Sequence, residues 1–175
     1  MNEANTPNSR GTPDRRAPQT ASPHGGGNRL ARVLWGVCYA LFFRPSPRVF
    51  FFWRRFWLRL FGAKLARGAR VYPRARVWAP WNLRMGRDST IGDLVDVYCV
   101  APITLGDRAA VSQYSFLCAA THDYRDPRLP LVPMPITLGA DVWVAADVFV
   151  GPGVTIHEGA VVGALGSLLG IALAV

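Results

Sequence analysis

The sequence predicts an all-β solenoid, a parallel β-helix, over most of its length. Aliphatic residues or Met recur every six positions, small residues follow most of them directly, and small or β-branched residues occupy the fifth place of each hexad. A six-residue period fits neither an α-helix nor an alternating strand. Eleven hexads keep this pattern, and they begin at Met85, Ile91, Val97, Leu105, Val111, Leu117, Leu138, Val144, Val150, Ile156 and Val162.

A chain with this period can form one short strand and one corner from each hexad. Three hexads then close a triangular coil of about eighteen residues, and coils stack at the usual inter-strand spacing of about 4.8 Å. The first residue of each hexad points inward and contacts its counterparts in the neighbouring coils, while the small residues leave room at the corners. We expect this domain over residues 66–167, with looser hexads from Val71 onward.

Residues 1–29 are rich in Pro, Gly, Ser and Asn and almost lack large apolar side chains, which predicts a disordered tail. The tail has no apolar segment of the kind that a secretory signal peptide needs. The chain has three cysteines, Cys38, Cys99 and Cys118, and their spacing suggests neither pairing nor metal binding. A reduced, cytoplasmic location is therefore expected.

Residues 30–65 form a different segment, with two helical runs, LARVLWGVCYALFF and VFFFWRRFWLRLFG, separated by RPSPR. Neither run reaches the roughly 20 apolar residues of a spanning helix. Arg48, Arg55 and Arg59 fall on one stripe of the second helix, with Arg54 beside it, and Phe and Trp fill the other face. This pattern is typical of a helix on a membrane surface whose basic groups meet lipid phosphates. A cap packed on the main domain and a membrane span are the alternatives.

The charge of the chain is concentrated in one block. The formal net charge is +9. Residues 30–87 contain thirteen Arg or Lys and no acid, whereas residues 88–175 contain three Arg and nine Asp or Glu. Such a block favours an anionic partner, either membrane lipid, a phosphorylated ligand or nucleic acid. It resembles no base-stacking or groove-reading module, so nucleic acid is not the expected partner.

The regular hexads are interrupted by an inserted loop, residues 122–135, which contains four prolines. A β-helix has flat faces, and an insertion can form one wall of a concave site. His122 lies at the root of the loop, where the scaffold would hold it while leaving it open to solvent. Histidine changes protonation near neutral pH, which suits a general base. The alternative is a loop histidine without a role, and His157, at a corner, is a weaker candidate.

These hexads, together with the stretches FRPSPR…WRRFWLRLFGAK, ITLGDRAAVSQYSFLCAATHDYRDP and ITLGADVWVAADVFVGPGVTIHEGAVVGA, resemble the hexapeptide-repeat acyltransferases. Within them the sequence is most similar to the O-acetyltransferases of colanic acid and other exopolysaccharides. The resemblance covers most of residues 42–164. It implies a left-handed coil, acetyl-CoA as the acyl donor, transfer to a sugar or lipid-linked glycan hydroxyl, and a homotrimer with active sites between subunits.

The resemblance also implies roles for individual residues. His122 matches the general base, and Asp123 either orients its imidazole or favours the turn. The acceptor contacts are expected near Asp96, Tyr98 and Cys99, where the family often has an Asn that this sequence lacks. The pantetheine arm of the donor is expected along the coil edge, where small side chains allow close approach to the main chain. The matching positions are Trp143, Ala145, Ala146, Gly163 and Ala164.

The apolar tail, residues 168–175, departs from the family pattern, which continues with another hexad and a Lys and Val-Pro stretch. This departure leaves open a weak or catalytically silent β-helix that binds membrane or partner subunits. A zinc-dependent, carbonic-anhydrase-like β-helix would need three histidines. Only His122 and His157 lie in the coil region, so no metal is expected.

Overall fold

A computed structural model of the chain describes residues 26–163. Helix α1 (Gly26–Cys38) continues into a π-helical turn at Tyr39–Phe43, and helix α2 (Phe51–Leu60) follows after a short loop. Triangular coils come next, and each full coil contributes one strand to each of three parallel sheets. The tail predicted for residues 1–29 lies mostly outside the described residues, as do Ala164 and the segment 168–175.

The strands follow one another coil by coil. The first three coils comprise β1 (Lys64–Leu65), β2 (Arg70–Val71), β3 (Arg76–Val77), β4 (Leu83–Met85), β5 (Thr90–Ile91), β6 (Asp96–Tyr98), β7 (Ile103–Leu105), β8 (Ala110–Val111) and β9 (Phe116–Cys118). A hairpin of β10 (Ala120–His122) and β11 (Leu131–Pro133) is inserted next. The remaining coils comprise β12 (Ile136–Leu138), β13 (Trp143–Val144), β14 (Phe149–Val150), β15 (Thr155–Ile156) and β16 (Val161–Val162).

Strand register places the first residue of each hexad directly over its counterpart. In the sheet of β1, β4, β7, β12 and β15, Leu65 pairs with Met85, Met85 with Leu105, Leu105 with Leu138, and Leu138 with Ile156. The first four of these side chains are buried in the core. Each fully buried aliphatic side chain stabilises the fold by about 1.5–3 kcal/mol, so the inward column is the main source of stability.

The second residue of a hexad must be small because the backbone of the next coil lies directly against it. A Cβ on Gly86 would lie 2.6 Å from the backbone nitrogen of Asp107, and a Cβ on Gly106 would lie 2.5 Å from that of Ala140. Distances this short exclude any side chain unless the backbone moves. The glycines therefore permit close stacking of coils as well as a tight corner.

All additional residues of the solenoid enter at one corner, between the sheet that contains β3 and the sheet that contains β4. Val77 and Met85 are eight positions apart rather than six, Val97 and Leu105 are again eight apart, and Leu117 and Leu138 are twenty-one apart. The 3-10 turn at Pro80–Asn82 fills the first of these corners. The inserted hairpin therefore leaves the coil beside shorter insertions in the coils before it.

The helical segment packs against the first coil, and the prediction for the face of α2 is wrong. Arg54 is 0% exposed, and its guanidinium donates to the carbonyl oxygens of Val71, Pro47 and Arg48 and to the Ser46 hydroxyl. Arg55 donates to the carbonyl of Ala69, and Arg59 to that of Leu65. These arginines satisfy carbonyls of the solenoid, where no neighbouring strand is available. The Phe side of α2 therefore faces outward.

Two predicted boundaries also differ from the structure. Helix α1 begins at Gly26, three residues before the predicted end of the tail at Arg29, because residues in the first turn supply the carbonyls that later N–H groups need. Strand β1 occupies Lys64–Leu65, within the segment predicted to be helical, because Leu65 pairs with Met85 of the second coil. Between residues 26 and 163 no helix combines the length and the apolar character needed to cross a membrane.

Candidate active site

His122 lies on a β-hairpin rather than on the irregular loop that the sequence predicts. Strands β10 and β11 are antiparallel, and His122 pairs with Leu131. The hairpin is attached to the solenoid by the N–H of Met134, which donates to the carbonyl of Ala119 at 3.0 Å. His122 is exposed at the end of β10. Backbone pairing therefore fixes the position of the imidazole while its surface stays open.

One hydrogen bond orients the His122 ring. Its Nδ1 atom lies 2.6 Å from the carbonyl oxygen of Leu129. A carbonyl oxygen only accepts hydrogen bonds, so Nδ1 carries the proton and the lone pair of the neutral ring lies on Nε2. Leu129 adopts a φ of 48°, a left-handed conformation that is uncommon for Leu, and this conformation accompanies the carbonyl's contact with the ring. The arrangement leaves Nε2 available as a base.

Of the two roles suggested for Asp123, the structure shows the turn and not the orientation of the imidazole. Its carboxylate accepts the N–H of Arg125 at 2.9 Å, which forms a turn within the hairpin, and the Leu129 carbonyl takes the orienting position. Asp126 and Arg128 pair at 2.7 Å in the same hairpin. The hydrogen bonds from Arg128 lower the pKa of Asp126 to about 2, so this pair stays charged at neutral pH.

A cleft opens between α1 and the sheet that contains β3, β6, β9 and β14. Its volume is about 390 Å³, within the range of small-molecule sites, and it is lined by Arg32, Trp35, Gly36, Tyr39, Arg76, Val77, Trp78, Asp96 and Tyr98. The cleft contains Asp96 and Tyr98, two of the three predicted acceptor residues. The N–H of Ala119, which leads to His122, donates to the carbonyl of Tyr98 at 3.1 Å. The cleft and the hairpin root are thus on the same sheet.

Aromatic rings form a ladder along this sheet. The ring centroids of Trp78 and Tyr98 are 5.3 Å apart, those of Tyr98 and Phe116 are 6.5 Å apart, and those of Phe116 and Phe149 are 5.5 Å apart. The guanidinium of Arg32 lies 4.6 Å from the centre of the Trp78 ring. The ladder gives the cleft an apolar surface that continues toward the hairpin coil.

Charged groups lie beside this apolar surface. Arg76 and Asp96 approach to 3.4 Å, and burial raises the pKa of the Asp96 carboxyl while Arg76 partly opposes that shift. Arg32 has a buried Nε that lacks a hydrogen-bond partner within residues 26–163. A ligand oxygen could accept from this group, because buried donors are rarely left unpaired.

Cys99 does not reach the cleft, and its assignment to the acceptor site is wrong. The side chain is fully buried, and its sulfur lies 3.3 Å from the backbone nitrogen and 3.2 Å from the carbonyl oxygen of Ala79. Burial raises the pKa of the Cys99 thiol to about 12, so it remains protonated. The thiol contributes to the core at the corner where two extra residues are inserted.

The residues predicted to bind the acyl donor form two stacked positions on the coil edge. Val144 pairs with Val162, so Ala145 lies over Gly163, and the N–H of Ala145 donates to the carbonyl of Val162 at 2.8 Å. Among residues 26–163, nothing lies within 4 Å of a Cβ placed on Gly163. The Nε1 of Trp143 donates to the Ser112 hydroxyl at 2.9 Å, and its ring stays exposed. Ala146 follows, whereas Ala164 is outside the described residues.

Sequence analysis missed several residues of the cleft. Trp78 follows Val77 just as Tyr98 follows Val97, twenty positions later, so alignment of hexads by coil would have revealed the aromatic pair. Arg32 and Trp35 of α1 and Tyr39 of the π-helical turn also line the cleft, and only the packing of this helical segment on the coil brings them there. Within residues 26–163, no three His, Cys, Asp or Glu side chains gather in a way that could hold a metal ion.

Comparison with known proteins places the chain among acetyltransferases. It is 41% identical over 143 residues to WcaF of Escherichia coli K12, whose name assigns it to acetyl transfer in colanic acid biosynthesis, and the match covers 82% of this chain and 79% of WcaF. No protein-family model matches the chain.

Solved structures share the fold. A galactoside acetyltransferase in complex with coenzyme A superimposes with a TM-score of 0.71 at 22% identity, over 82% of this chain and 72% of that one. A hexapeptide-repeat acetyltransferase from Vibrio cholerae, VCA0836, superimposes with a TM-score of 0.65 at 22% identity, and the match covers 77% of this chain and 86% of that one. The fold is thus the left-handed parallel β-helix of hexapeptide-repeat acetyltransferases.

Proposed function

The chain belongs to the hexapeptide-repeat acetyltransferases related to WcaF, and we propose that it moves an acetyl group from acetyl-CoA to a sugar hydroxyl in exopolysaccharide or related glycan synthesis. The observation that carries this proposal is the hydrogen bond from His122 Nδ1 to the Leu129 carbonyl, which places the lone pair of the neutral ring on Nε2. A base in this state can accept the proton of an attacking hydroxyl.

The proposed reaction is a direct transfer. As Nε2 of His122 takes the hydroxyl proton, the hydroxyl oxygen forms a bond to the thioester carbonyl carbon. The resulting oxyanion is stabilised by hydrogen-bond donors such as backbone N–H groups. Its collapse breaks the carbon–sulfur bond, and the imidazolium returns the proton to the departing thiolate. The products are an acetyl ester and free coenzyme A, and no acyl-enzyme is needed.

The cleft beside α1 is the proposed acceptor site. Its aromatic surface suits the apolar face of a sugar ring, and Asp96 and Tyr98 can hydrogen-bond to hydroxyl groups. Arg32 and Arg76 line the same cleft, and their charge would suit a phosphate of a lipid-linked precursor. A lipid-linked glycan is therefore the preferred acceptor class.

The proposed donor strip comprises Trp143, Ala145, Ala146, Gly163 and Ala164. Its open space above Gly163 fits a pantetheine arm that lies against the main chain. A homotrimer is the proposed assembly, since no hydrogen bond within residues 26–163 joins His122 to the cleft and a second subunit could complete the site. The exposed Trp143 and Phe149 are suitable contact residues. The proposed location is the cytoplasm, at the inner face of the membrane.

The proposal is tested by acetyl transfer with purified wild type, His122→Ala and His157→Ala. His157 is the matched control, because it is an exposed histidine on a coil corner away from the hairpin. Release of free thiol from acetyl-CoA is followed with candidate sugars and lipid-linked sugars. We expect His122→Ala to lose roughly 100-fold or more in rate and His157→Ala to keep it. Equal rates for wild type and His122→Ala would exclude the mechanism.

A catalytically silent scaffold is the competing function. A shift in thermal unfolding on addition of acetyl-CoA distinguishes the two, because a ligand that binds only the folded state raises its apparent stability. A scaffold that has lost donor binding would show no shift and no thiol release with any acceptor.

A further inference from the structure

The π-helical turn and α2 carry an outward apolar surface that the catalytic proposal does not use. We define the outer helical surface by Leu41, Phe42, Phe50, Phe52, Phe56 and Leu60. All six side chains are exposed, and Leu41, Phe52 and Leu60 are each 62% accessible. Large exposed apolar patches of this kind mark interaction sites.

The outer helical surface is continuous. Leu41, Phe42, Phe50 and Phe52 line one shallow groove of about 480 Å³, and Phe52, Phe56 and Leu60 line the next depression, of about 430 Å³. The Nε1 of Trp53 donates to the carbonyl of Phe42 at 2.8 Å, which ties α2 to the π-helical turn. Phe52 belongs to both depressions and so joins them into one surface.

The orientation of α2 is fixed by its opposite side. Arg54 is fully buried on that side and donates hydrogen bonds to the carbonyl oxygens of Val71 and Pro47. Arg55 and Arg59 flank the exposed Phe residues, and their guanidinium groups reach back to carbonyl oxygens of the first coil. Rotation of α2 to bury its Phe residues would break these bonds and leave buried carbonyls unpaired. The apolar side of α2 must therefore find its cover outside residues 26–163.

The positive charge around the outer helical surface indicates which partner covers it. Residues 26–87 contain fourteen Arg or Lys and no Asp or Glu, and Arg44 and Arg48 are exposed in the loop between the π-helical turn and α2. A second copy that used the same surface would bring like charges together. Anionic lipid headgroups would meet the arginines while the acyl region received the Phe and Leu side chains.

We propose that the outer helical surface docks on an anionic lipid bilayer, with Phe52 and Phe56 inserted at the interface and Arg44 and Arg48 against the headgroups. The docking needs no catalytic step and stands independently of the acetyl transfer. Arg32 of α1 and Tyr39 of the π-helical turn line the acceptor cleft, so docking would hold that cleft close to the lipid surface.

Sedimentation with vesicles tests the docking, using the full chain with vesicles of phosphatidylethanolamine and phosphatidylglycerol or of phosphatidylcholine alone. We expect binding to the anionic vesicles, weaker binding to the neutral ones, and a decrease with added salt. The Phe52→Gln/Phe56→Gln variant should bind the anionic vesicles at least about tenfold more weakly, the scale expected for two lost aromatic contacts.

A matched control replaces two exposed aromatic residues away from the helices, Tyr114 of the coils and Tyr124 of the inserted hairpin, and Tyr114→Gln/Tyr124→Gln should bind like the wild type. Arg44→Gln/Arg48→Gln should lose binding to anionic vesicles while retaining the wild-type unfolding temperature. The proposal is overturned if the wild type stays in the supernatant with anionic vesicles. It is equally overturned if Phe52→Gln/Phe56→Gln sediments like the wild type, or if these Phe residues instead mediate self-association in size-exclusion chromatography.

Discussion

The carbonyl oxygen of Leu129 accepts a hydrogen bond from His122 Nδ1 at 2.6 Å, and Leu129 holds that carbonyl in place with a φ of 48°. The two residues lie on opposite sides of the inserted hairpin. The protonation pattern of the ring thus depends on the backbone conformation of a residue seven positions away. The side chain of Leu129 and its backbone carbonyl can therefore be tested separately by substitution.

Leu129→Gly should retain activity, because Gly adopts positive φ readily and keeps the carbonyl. Leu129→Pro should lower kcat/KM by roughly tenfold or more, since proline fixes φ near −65° and also removes the N–H that donates to Asp126. Nitrogen NMR of the His122 ring provides a second readout: Leu129→Pro should lose the preference for the Nδ1-protonated form. A fully active Leu129→Pro would show that the carbonyl does not orient the ring.

Arg54→Ala should destabilise the protein by at least about 3 kcal/mol, because it leaves several buried carbonyls without a donor. Denaturant unfolding measures this loss. Arg84→Ala is the control, as an exposed arginine of β4, and should change the free energy of unfolding by less than about 0.5 kcal/mol. Equal stabilities for the two variants would contradict the structural role of Arg54.

Asp96→Asn should raise stability at neutral pH while weakening acceptor turnover. Burial raises the pKa of Asp96 in the folded state, so the folded protein binds more protons than the unfolded chain, and the stability of the wild type falls as pH rises through that raised pKa. Asn lacks this charge. The difference in unfolding temperature between variant and wild type should be small but positive at neutral pH and vanish in acid, below the unfolded pKa. A difference that persists in acid would contradict this assignment.

Gly163→Ala should leave the unfolding temperature unchanged, because its Cβ would meet no atom of the described part of the chain within 4 Å. The added methyl group should raise the KM for acetyl-CoA several-fold with little effect on kcat, if the donor arm passes over this position. Gly151→Ala is the matched control, since its Cβ would make only an ordinary contact with Phe149, and its KM for acetyl-CoA should match the wild type. An unchanged KM in Gly163→Ala would remove Gly163 from the donor strip.

Gly106→Ala should be strongly destabilising, by about 2 kcal/mol or more, since its Cβ would lie 2.5 Å from the backbone of the next coil. Thermal unfolding measures the loss. The same change at Gly163 serves as the reference, and a similar unfolding temperature for both variants would contradict the account of coil stacking.

The solenoid could be predicted because its main interactions repeat: Leu105 contacts counterparts in the coils before and after it, so one pattern describes every coil. The direction of α2 could not be predicted from its own period. Either face of α2 could pack on the solenoid, since one is apolar and the other can donate hydrogen bonds. Arg54 faces inward because carbonyls of the first coil, such as that of Val71, need a donor.

The site was predicted only in part for a similar reason. His122 stands out because it follows the interruption of a regular pattern, and Asp96 and Tyr98 lie one coil earlier on the same sheet. Cys99 is adjacent to Tyr98 in sequence, yet the alternation of a strand sends the neighbouring side chain inward. The role of the Leu129 carbonyl could not be predicted from the sequence, because every residue type has a backbone carbonyl.

The concentration of extra residues at one corner makes the length of that edge adjustable. Two coils add two residues there and a third adds fifteen, while Leu105 and Leu138 on either side of the longest addition stay in register. A segment exchanged between His122 and Ile136 would thus change the wall beside His122, the proposed base, and spare the aliphatic column. The architecture separates the part of the protein that can diversify from the part that keeps it folded, and new acceptor preferences could be engineered along a single vertical edge.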